Sequence, residues 1–204
     1  IGHVGATSFF PSKNLGCYGD GGALFTDDDD LAHYIRGIVN HGMYRRYYHD
    51  VIGVNSRLDS LQAAVLQAKL PHLDTYCQKR RVAARYYSDK FKELDSIVVP
   101  KMVSGCDVIC DSCDCHVFHQ YTLRITNGQR DELAAHLKEK EIPFGIYYPV
   151  PLHSQKAYAD SRYKESDFPV TNKLVQEVIS LPMHTELDEE QLNYITETIR
   201  TFLQ

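Results

Sequence analysis

The segment SFFPSKNLGCYGDGGALFT, residues 8–26, places a single lysine between a serine-aromatic-proline run and a glycine-rich turn. Glycine permits tight turns close to a bulky ligand, whereas a lysine that serves only solubility needs no such surroundings. A lysine amine that is positioned and partly desolvated condenses with an aldehyde to form a Schiff base. Ser8 lies five residues before Lys13 and can carry its hydroxyl toward the phosphate of an aldehyde cofactor. The segment therefore predicts a strand-turn-strand unit that holds Lys13 as a covalent catalyst.

The composition favours small-molecule chemistry. The chain has 204 residues, enough for one or two domains, and a net charge of −5, which argues against a general nucleic-acid binder. It contains no apolar run of about 18 residues and no signal-peptide pattern, so we expect no membrane span and a cytoplasmic location. Because the first residue is Ile1 rather than methionine, we also expect a piece of a longer polypeptide.

Four of the six cysteines crowd into CDVICDSCDC, at Cys106, Cys110, Cys113 and Cys115. Their thiolates and the imidazole of His116 are ligands that zinc prefers. Zinc modules use two separated cysteine pairs, however, and no comparable second pair lies elsewhere in the chain. The pattern therefore favours a variable, exposed loop, and no metal is expected.

The apolar pattern alternates extended runs with helical stripes. It predicts strands at 6–9, 22–26, 97–99, 116–125 and 143–148. It predicts helices at 31–39, 57–70, 73–94, 129–141, 172–178 and 188–203. Residues 27–30 are four aspartates that suit the N-terminus of the first helix, and residues 41–55, aromatic and basic without periodicity, favour an ordered loop. This order indicates an α/β fold with a domain boundary after residue 95.

Five motifs resemble one known family. TSFFPSKNLGCYGDGGALFTDD resembles the pyridoxal-phosphate lysine segment of the DegT/DnrJ/EryC1/StrS aminotransferases, which act on nucleotide-linked keto sugars. Further similar motifs follow in the same order: IGVNSRLDSLQAAVL at 52–66, HVFHQYTLRI at 116–125, YYPVPLHSQKAY at 147–158 and SLPMH at 180–184. The resemblance implies an aspartate-aminotransferase-like (type I pyridoxal-phosphate) fold. Residues 1–95 would be the C-terminal part of its large domain, and residues 96–204 its small C-terminal α/β domain.

The resemblance also implies roles for five residues. Lys13 would hold pyridoxal 5'-phosphate covalently, and Ser8 would bind the cofactor phosphate. Asn55, in the N-x-R-L-D motif, would reach that phosphate from a neighbouring subunit, which implies a homodimer with shared sites. Arg57 would line the same site, and His153 would face the nucleotide sugar. From the residues alone, Asn55 could instead cap the following helix, Arg57 could be a solvated cation and His153 plain surface.

The activity implied is transfer of an amino group from an amino acid, with glutamate expected, to a nucleotide-linked keto sugar in amino-sugar and cell-surface polysaccharide biosynthesis. The stretch NSRLD, residues 55–59, resembles the family members that act on 3-keto sugars more than those that act on 4-keto sugars, which implies a ketone at C3. Related sugar dehydratases replace the lysine with histidine, so Lys13 argues against them. A second alternative is a non-catalytic or metal-binding fragment. The family's ring-stacking aromatic and its acidic partner for the pyridine nitrogen would precede Ile1, so the chain alone is expected to be inactive.

Overall fold

The computed structural model describes residues 2–101 and 116–204. The chain divides into two compact units, Ile1–Asp74 and Thr75–Gln204. The cysteine cluster at residues 106–115, and with it the predicted loop and the zinc alternative, lies outside the described residues. Within residues 2–101 and 116–204, every helix is too short or too polar to cross a membrane.

The first unit contains two antiparallel ribbons and two helices. The first ribbon pairs β1 (Gly5–Ser8) with β2 (Gly22–Phe25), and the second pairs β3 (Met43–Arg45) with β4 (Tyr48–His49). The helices are α1 (Asp29–Val39) and α2 (Ser60–Lys69), and a 3₁₀ turn at Leu70–His72 follows α2. Both strands predicted around the glycine-rich turn are therefore present.

The aspartate run starts α1, as the sequence predicts. Asp28 is the N-cap residue, and its carboxylate accepts a hydrogen bond of 3.0 Å from the backbone N–H of Leu31. Asp29 and Asp30 occupy the first turn, where negative charge is favourable next to the unpaired N–H groups of the helix. The helix therefore begins two residues before the predicted start at residue 31.

The segment predicted as a loop at 41–55 contains the β3–β4 ribbon, which the sequence analysis missed. Arg45 donates to the hydroxyl of Tyr48 at 3.3 Å across the ribbon. Gly42 precedes the ribbon with φ of +76°, and a Cβ there would collide with the backbone carbonyl of Val51. The ribbon is only two to three residues a side and carries a register irregularity, so it has no alternating apolar pattern to detect.

In the part of the chain that the structure describes, the second unit contains a three-stranded antiparallel sheet and four α-helices. The sheet order is β5 (Ile97–Val98), β6 (Tyr121–Ile125) and β7 (Val178–Leu181). The helices are α3 (Leu73–Phe91), α4 (Arg130–Glu139), α5 (Pro169–Glu177) and α6 (Glu189–Leu203). A capping box at Asp188 and Gln191 starts α6, because each side chain accepts from the other residue's backbone N–H.

The core of the second unit explains why the unit boundary differs from the boundary predicted after residue 95. Tyr87 and Phe91 of α3 are fully buried with the sheet residues Tyr121 and Leu123. The Tyr87 hydroxyl donates to the carbonyl of Pro182 at 2.9 Å. Because this face of α3 is part of the same core as the sheet, the two units divide before most of α3 rather than after it.

Arg80 of α3 is buried in the same unit and has carbonyl oxygens as partners. Its Nη1 lies 3.2, 3.1 and 2.9 Å from the carbonyls of Phe118, His119 and Met183. Burial lowers the pKa of the Arg80 guanidinium from its ordinary value. The side chain therefore joins the segments before β6 and after β7 to the helix.

Two strand predictions need correction. Residues 143–148 form only one bridge, in which Gly145 and Ser180 exchange backbone hydrogen bonds of 3.0 and 2.7 Å. Pro143 and the following Pro149 lack the N–H that a longer ladder requires. The strand predicted at 116–125 is confirmed only at Tyr121–Ile125, since Phe118 has φ of +42° and its N–H binds the ring nitrogen Nδ1 of His116.

The sequence analysis also missed β7 and began the preceding helix too late. Pro169 is the first residue of α5, where its missing N–H costs nothing. The four residues of β7 are all buried, including the polar Ser180, so the strand lacks the polar-apolar alternation of a half-exposed strand.

Replacing Phe91 with alanine should destabilise the protein, because Phe91 is 0% exposed within the core of the second unit. We expect Phe91→Ala to lower the free energy of unfolding by about 3–5 kcal/mol in urea denaturation. Val82→Ala is the matched control on the same helix, since Val82 is 52% exposed, and should change it by less than about 0.5 kcal/mol. Equal effects of the two substitutions would contradict the assigned core.

Candidate active site

Lys13 lies half-buried in the turn between β1 and β2. Two backbone hydrogen bonds close this connection between the strands. Phe9 N–H donates to the carbonyl of Gly21 at 2.7 Å, and Cys17 N–H donates to the carbonyl of Phe9 at 2.8 Å. Lys13 N–H donates to the carbonyl of Phe10 at 2.9 Å, which forms a tight turn at the lysine itself. We call residues 9–21 the lysine loop. Its backbone positions the lysine.

Glycine is sterically required at Gly16, within the lysine loop, and at Gly22, directly after it. A Cβ at Gly16 would lie 2.5 Å from the carbonyl oxygen of Pro11 and 2.8 Å from that of Phe10. A Cβ at Gly22 would lie 2.8 Å from the carbonyl oxygen of Thr7. The chain therefore folds back on itself more closely than a side chain allows, which gives the glycine pattern of the sequence a physical reason.

Cys17 fills the base of the lysine loop. Its side chain is buried, and its sulfur lies 3.0 Å from the carbonyl oxygens of both Phe9 and Gly19. The thiol is thus a small apolar filler whose hydrogen has two acceptors within reach.

Helix α2 binds the lysine loop through two polar side chains that the sequence analysis did not single out. Gln62 Oε1 accepts from the backbone N–H groups of Tyr18 at 2.8 Å and Gly19 at 3.1 Å. Lys69 Nζ donates to the carbonyl of Gly16 at 2.5 Å. The available signal was their spacing of seven residues, about two helical turns, which places both on one face of α2.

Ser8 is the last residue of β1, exposed and paired in register with Gly22. Its Oγ accepts from the backbone N–H of Phe10 at 3.2 Å. This contact uses the oxygen as an acceptor, so the hydroxyl hydrogen can still be donated to an anion. Ser8 and Lys13 therefore belong to one ribbon and its connecting turn.

Asn55 and Arg57 contact each other directly. Arg57 Nε donates to Asn55 Oδ1 at 2.9 Å, and both residues are exposed. Because Oδ1 is engaged, the amide Nδ2 and the terminal guanidinium N–H groups are the donors that the pair can present to a ligand. An amide and a guanidinium acting together suit an oxyanion such as phosphate or carboxylate.

The backbone around Asn55 is fixed by the end of α1. Asn55 pairs with Asn40 in an isolated bridge, and Ser56 N–H donates to the carbonyl of Val39 at 2.9 Å. The N-cap position of α2 is occupied by Asp59, so the alternative in which Asn55 caps this helix is wrong.

His153 lies in the second unit, in the 3₁₀ turn Leu152–Ser154. Its ring stacks on Phe168 with centroids 4.3 Å apart and an interplanar angle of 18°. It borders a cavity of about 620 Å³ whose lining includes Tyr158 and Tyr163. The half-buried, stacked ring does not match the plain-surface alternative.

Residues 2–101 and 116–204 contain no cluster of three or more His, Cys, Asp or Glu side chains arranged to hold a metal ion. The His116 ring lies tilted against Phe118 with centroids 4.1 Å apart, and burial lowers the pKa of His116, which favours the neutral ring.

The sequence of the chain is similar to that of a known protein family. A sequence profile of the DegT/DnrJ/EryC1/StrS aminotransferase family matches residues 1–200. The chain belongs to this family.

Two curated relatives illustrate the similarity. The chain is 48% identical over 204 residues to a pleiotropic regulatory protein of Geobacillus stearothermophilus, covering 99% of the chain and 52% of that protein. It is 43% identical to the UDP-N-acetyl-3-dehydro-alpha-D-glucosamine 3-aminotransferase of Acidithiobacillus ferrooxidans, covering 100% of the chain and 52% of that enzyme. The chain thus spans about half the length of the curated relatives it matches.

A solved structure extends the comparison to the fold. The chain superposes on S. venezuelae DesV, solved in complex with a ketimine intermediate, with a TM-score of 0.88 and 36% identity. The match covers 100% of the chain and 53% of DesV. The mixed helix-strand architecture is therefore that of an aminotransferase of this family over about half of its length.

Proposed function

We propose that the full-length protein containing this chain is a pyridoxal-phosphate-dependent aminotransferase that transfers an amino group from an amino acid to a nucleotide-linked keto sugar. The observation that carries the proposal is Lys13, half-buried on a loop closed by its own backbone and sterically dependent on glycine. Membership of the DegT/DnrJ/EryC1/StrS family supports it. Lysine at this position favours an aminotransferase over the related sugar dehydratases, which carry histidine there.

The residues present fit the cofactor. Lys13 supplies a primary amine for its aldehyde, and Ser8 supplies a hydroxyl with a donatable hydrogen for its phosphate. Asn55 and Arg57 supply a second set of anion donors whose orientation is fixed by their mutual hydrogen bond. The backbone folds so closely at Gly16 that a Cβ would not fit, so the loop would stay compact beside the bound cofactor.

The cofactor and the side chains of the chain would have separate roles in the reaction. When bound, pyridoxal phosphate acts as the electron sink that stabilises negative charge at the substrate carbon. Lys13, once released from the cofactor, would take the proton from that carbon as a general base and deliver it to the former aldehyde carbon as a general acid. Arg57 and Asn55 orient an anionic group, and His153 contacts the nucleotide sugar. Glutamate is our proposed donor.

We propose a homodimer with shared sites, in which Asn55 and Arg57 of one subunit reach the cofactor phosphate held by the other. Apolar side chains flank this pair and are exposed in the described chain: Ile52 is 98% exposed and Leu61 72%. Apolar exposure of this extent next to a polar pair favours a surface that is covered by another polypeptide.

We place the first unit at the C-terminal end of the large domain of an aspartate-aminotransferase-like fold, and the second unit as its small domain. The ring-stacking aromatic and the acidic partner of the pyridine nitrogen would then lie upstream of Ile1. Because half the site would come from those residues, we expect this chain alone to be inactive.

We propose a 3-keto sugar as the acceptor. The stretch NSRLD at residues 55–59 supports this choice, as does the 43% identity to a relative named as a 3-aminotransferase. The position of the ketone is decided by how remote contacts hold the sugar, because they determine which carbon meets the cofactor.

Borohydride reduction of the full-length protein with bound cofactor should place the pyridoxyl group on Lys13, as read by peptide mapping. Lys13→Ala should abolish turnover and leave the circular-dichroism spectrum and thermal midpoint close to those of the parent, because the side chain removed is a covalent catalyst outside the hydrophobic core. Label on a different lysine would refute the assignment.

Shared sites predict complementation. Inactive Lys13→Ala and Asn55→Ala full-length subunits, once mixed and exchanged, should regain part of the activity, because one site of each mixed dimer keeps both groups. Subunit exchange is monitored by differently tagged copies, and mixing two Lys13→Ala preparations is the control. No recovery despite measured exchange would contradict sharing.

The acceptor is tested by offering the full-length enzyme matched 3-keto and 4-keto nucleotide sugars with glutamate. We expect faster release of 2-oxoglutarate with the 3-keto compound, measured as kcat/KM. Preference for the 4-keto compound would overturn the assignment of the ketone position and leave the aminotransferase proposal standing.

A further inference from the structure

The lysine loop depends on a neighbouring helix for hydrogen-bond acceptors. Its residues 18 and 19 direct their backbone N–H groups to one oxygen, Gln62 Oε1, at 2.8 and 3.1 Å. An amide oxygen that accepts from two consecutive backbone N–H groups restricts the conformation of the segment that carries them. Gln62 is half-buried, so its amide is held in place to receive both bonds.

Two further contacts join the same helix region to the loop. Lys69 Nζ donates to the carbonyl of Gly16 at the opposite end of the glycine-rich part. Leu58, just before α2, packs so closely that a Cβ at Gly21 would lie 3.0 Å from its Cδ1. The loop is therefore held at three separate points: by a side chain before α2, by one in its first turn and by one at its end.

The glycines make these external contacts necessary. Four glycines between residues 16 and 22 give the unfolded loop many accessible conformations, so its own backbone disfavours any single one. The internal bonds of the loop fix its two ends and the turn at Lys13, whereas Gln62 fixes the section around residues 18 and 19.

We propose that Gln62 is a positioning residue for Lys13. By accepting from Tyr18 and Gly19, it sets the course of the loop and so the placement of the Lys13 amine relative to the cofactor and the substrate carbon. Lys69 contributes to the same positioning by donating to the carbonyl of Gly16. The inference rests on the proposed function, since it concerns the reaction in which Lys13 moves a proton.

The test compares three full-length variants. Gln62→Met removes the acceptor and keeps a side chain of similar length. Gln62→Glu keeps an acceptor oxygen for the two N–H groups. Gln67→Met is the matched control, because Gln67 lies exposed on the same helix and, in the described part of the chain, makes no side-chain hydrogen bond.

We expect Gln62→Met to lower kcat roughly tenfold to hundredfold, with KM for the amino acid changed less than about twofold, because displacement of a reacting group by about 1 Å costs this much. The pH midpoint of the visible absorbance of the Lys13-bound cofactor should move toward that of a free lysine adduct in water. In cofactor-free protein, hydrogen exchange at the Tyr18 and Gly19 amides should accelerate. Gln62→Glu should restore most of kcat, and Gln67→Met should match the parent.

The proposal is overturned if Gln62→Met changes thermal stability alone and keeps the parent's kcat and absorbance midpoint, or if Gln67→Met shows the same losses. If Gln62→Met does not fold, Lys69→Met takes its place and should lower kcat in the same direction; parent-like kcat and absorbance midpoint there would also overturn it. A parent protein that carries no cofactor on Lys13 refutes the proposed function. If the parent is active and Gln62→Met keeps the parent's kcat and absorbance midpoint, only this inference is refuted and the proposed function stands.

Discussion

The close return of the backbone at Gly16 is the constraint on which the rest of the candidate site depends. The carbonyls of Phe10 and Pro11 occupy the space of a side chain there, so the turn carrying Lys13 can close only over glycine. A loop this rich in glycine is costly to order, and α2 offsets that cost because Gln62 accepts hydrogen bonds from the loop and Lys69 donates one to it. Steric exclusion at Gly16 and hydrogen bonds with α2 together restrict a glycine-rich, intrinsically flexible loop to one conformation.

The same helix connects two kinds of chemistry. Its polar face holds the lysine loop, and the stretch that leads into it carries the paired side chains of Asn55 and Arg57. The end of α1 fixes that stretch through the bridge at Asn40 and the hydrogen bond to Val39. A covalent attachment point and an anion-binding pair are thus mounted on one small framework. In the proposed dimer they would serve different active sites, so the framework would take part in both.

Sequence reasoning found the elements whose signals are local. The aspartates before α1 and the glycines around Lys13 act through their own backbone, and their consequences can be predicted from residue chemistry alone. The failures involve tertiary context. The fully buried β7 lacks alternation, and the burial that defines it comes from the core around Tyr121. The sequence does not single out Gln62, because a polar residue on a helix is usually solvated, and only the fold shows that two backbone N–H groups converge on it.

The buried thiol of Cys17 gives the lysine loop an internal reporter. Its sulfur is covered by the loop and lies against the carbonyls of Phe9 and Gly19, so a thiol reagent reaches it only after the segment detaches. Such local opening has its own free energy, separate from that of global unfolding. The thiol of Cys17 lies a few residues from the proposed catalytic amine. Its labelling rate therefore measures how often the lysine loop opens locally.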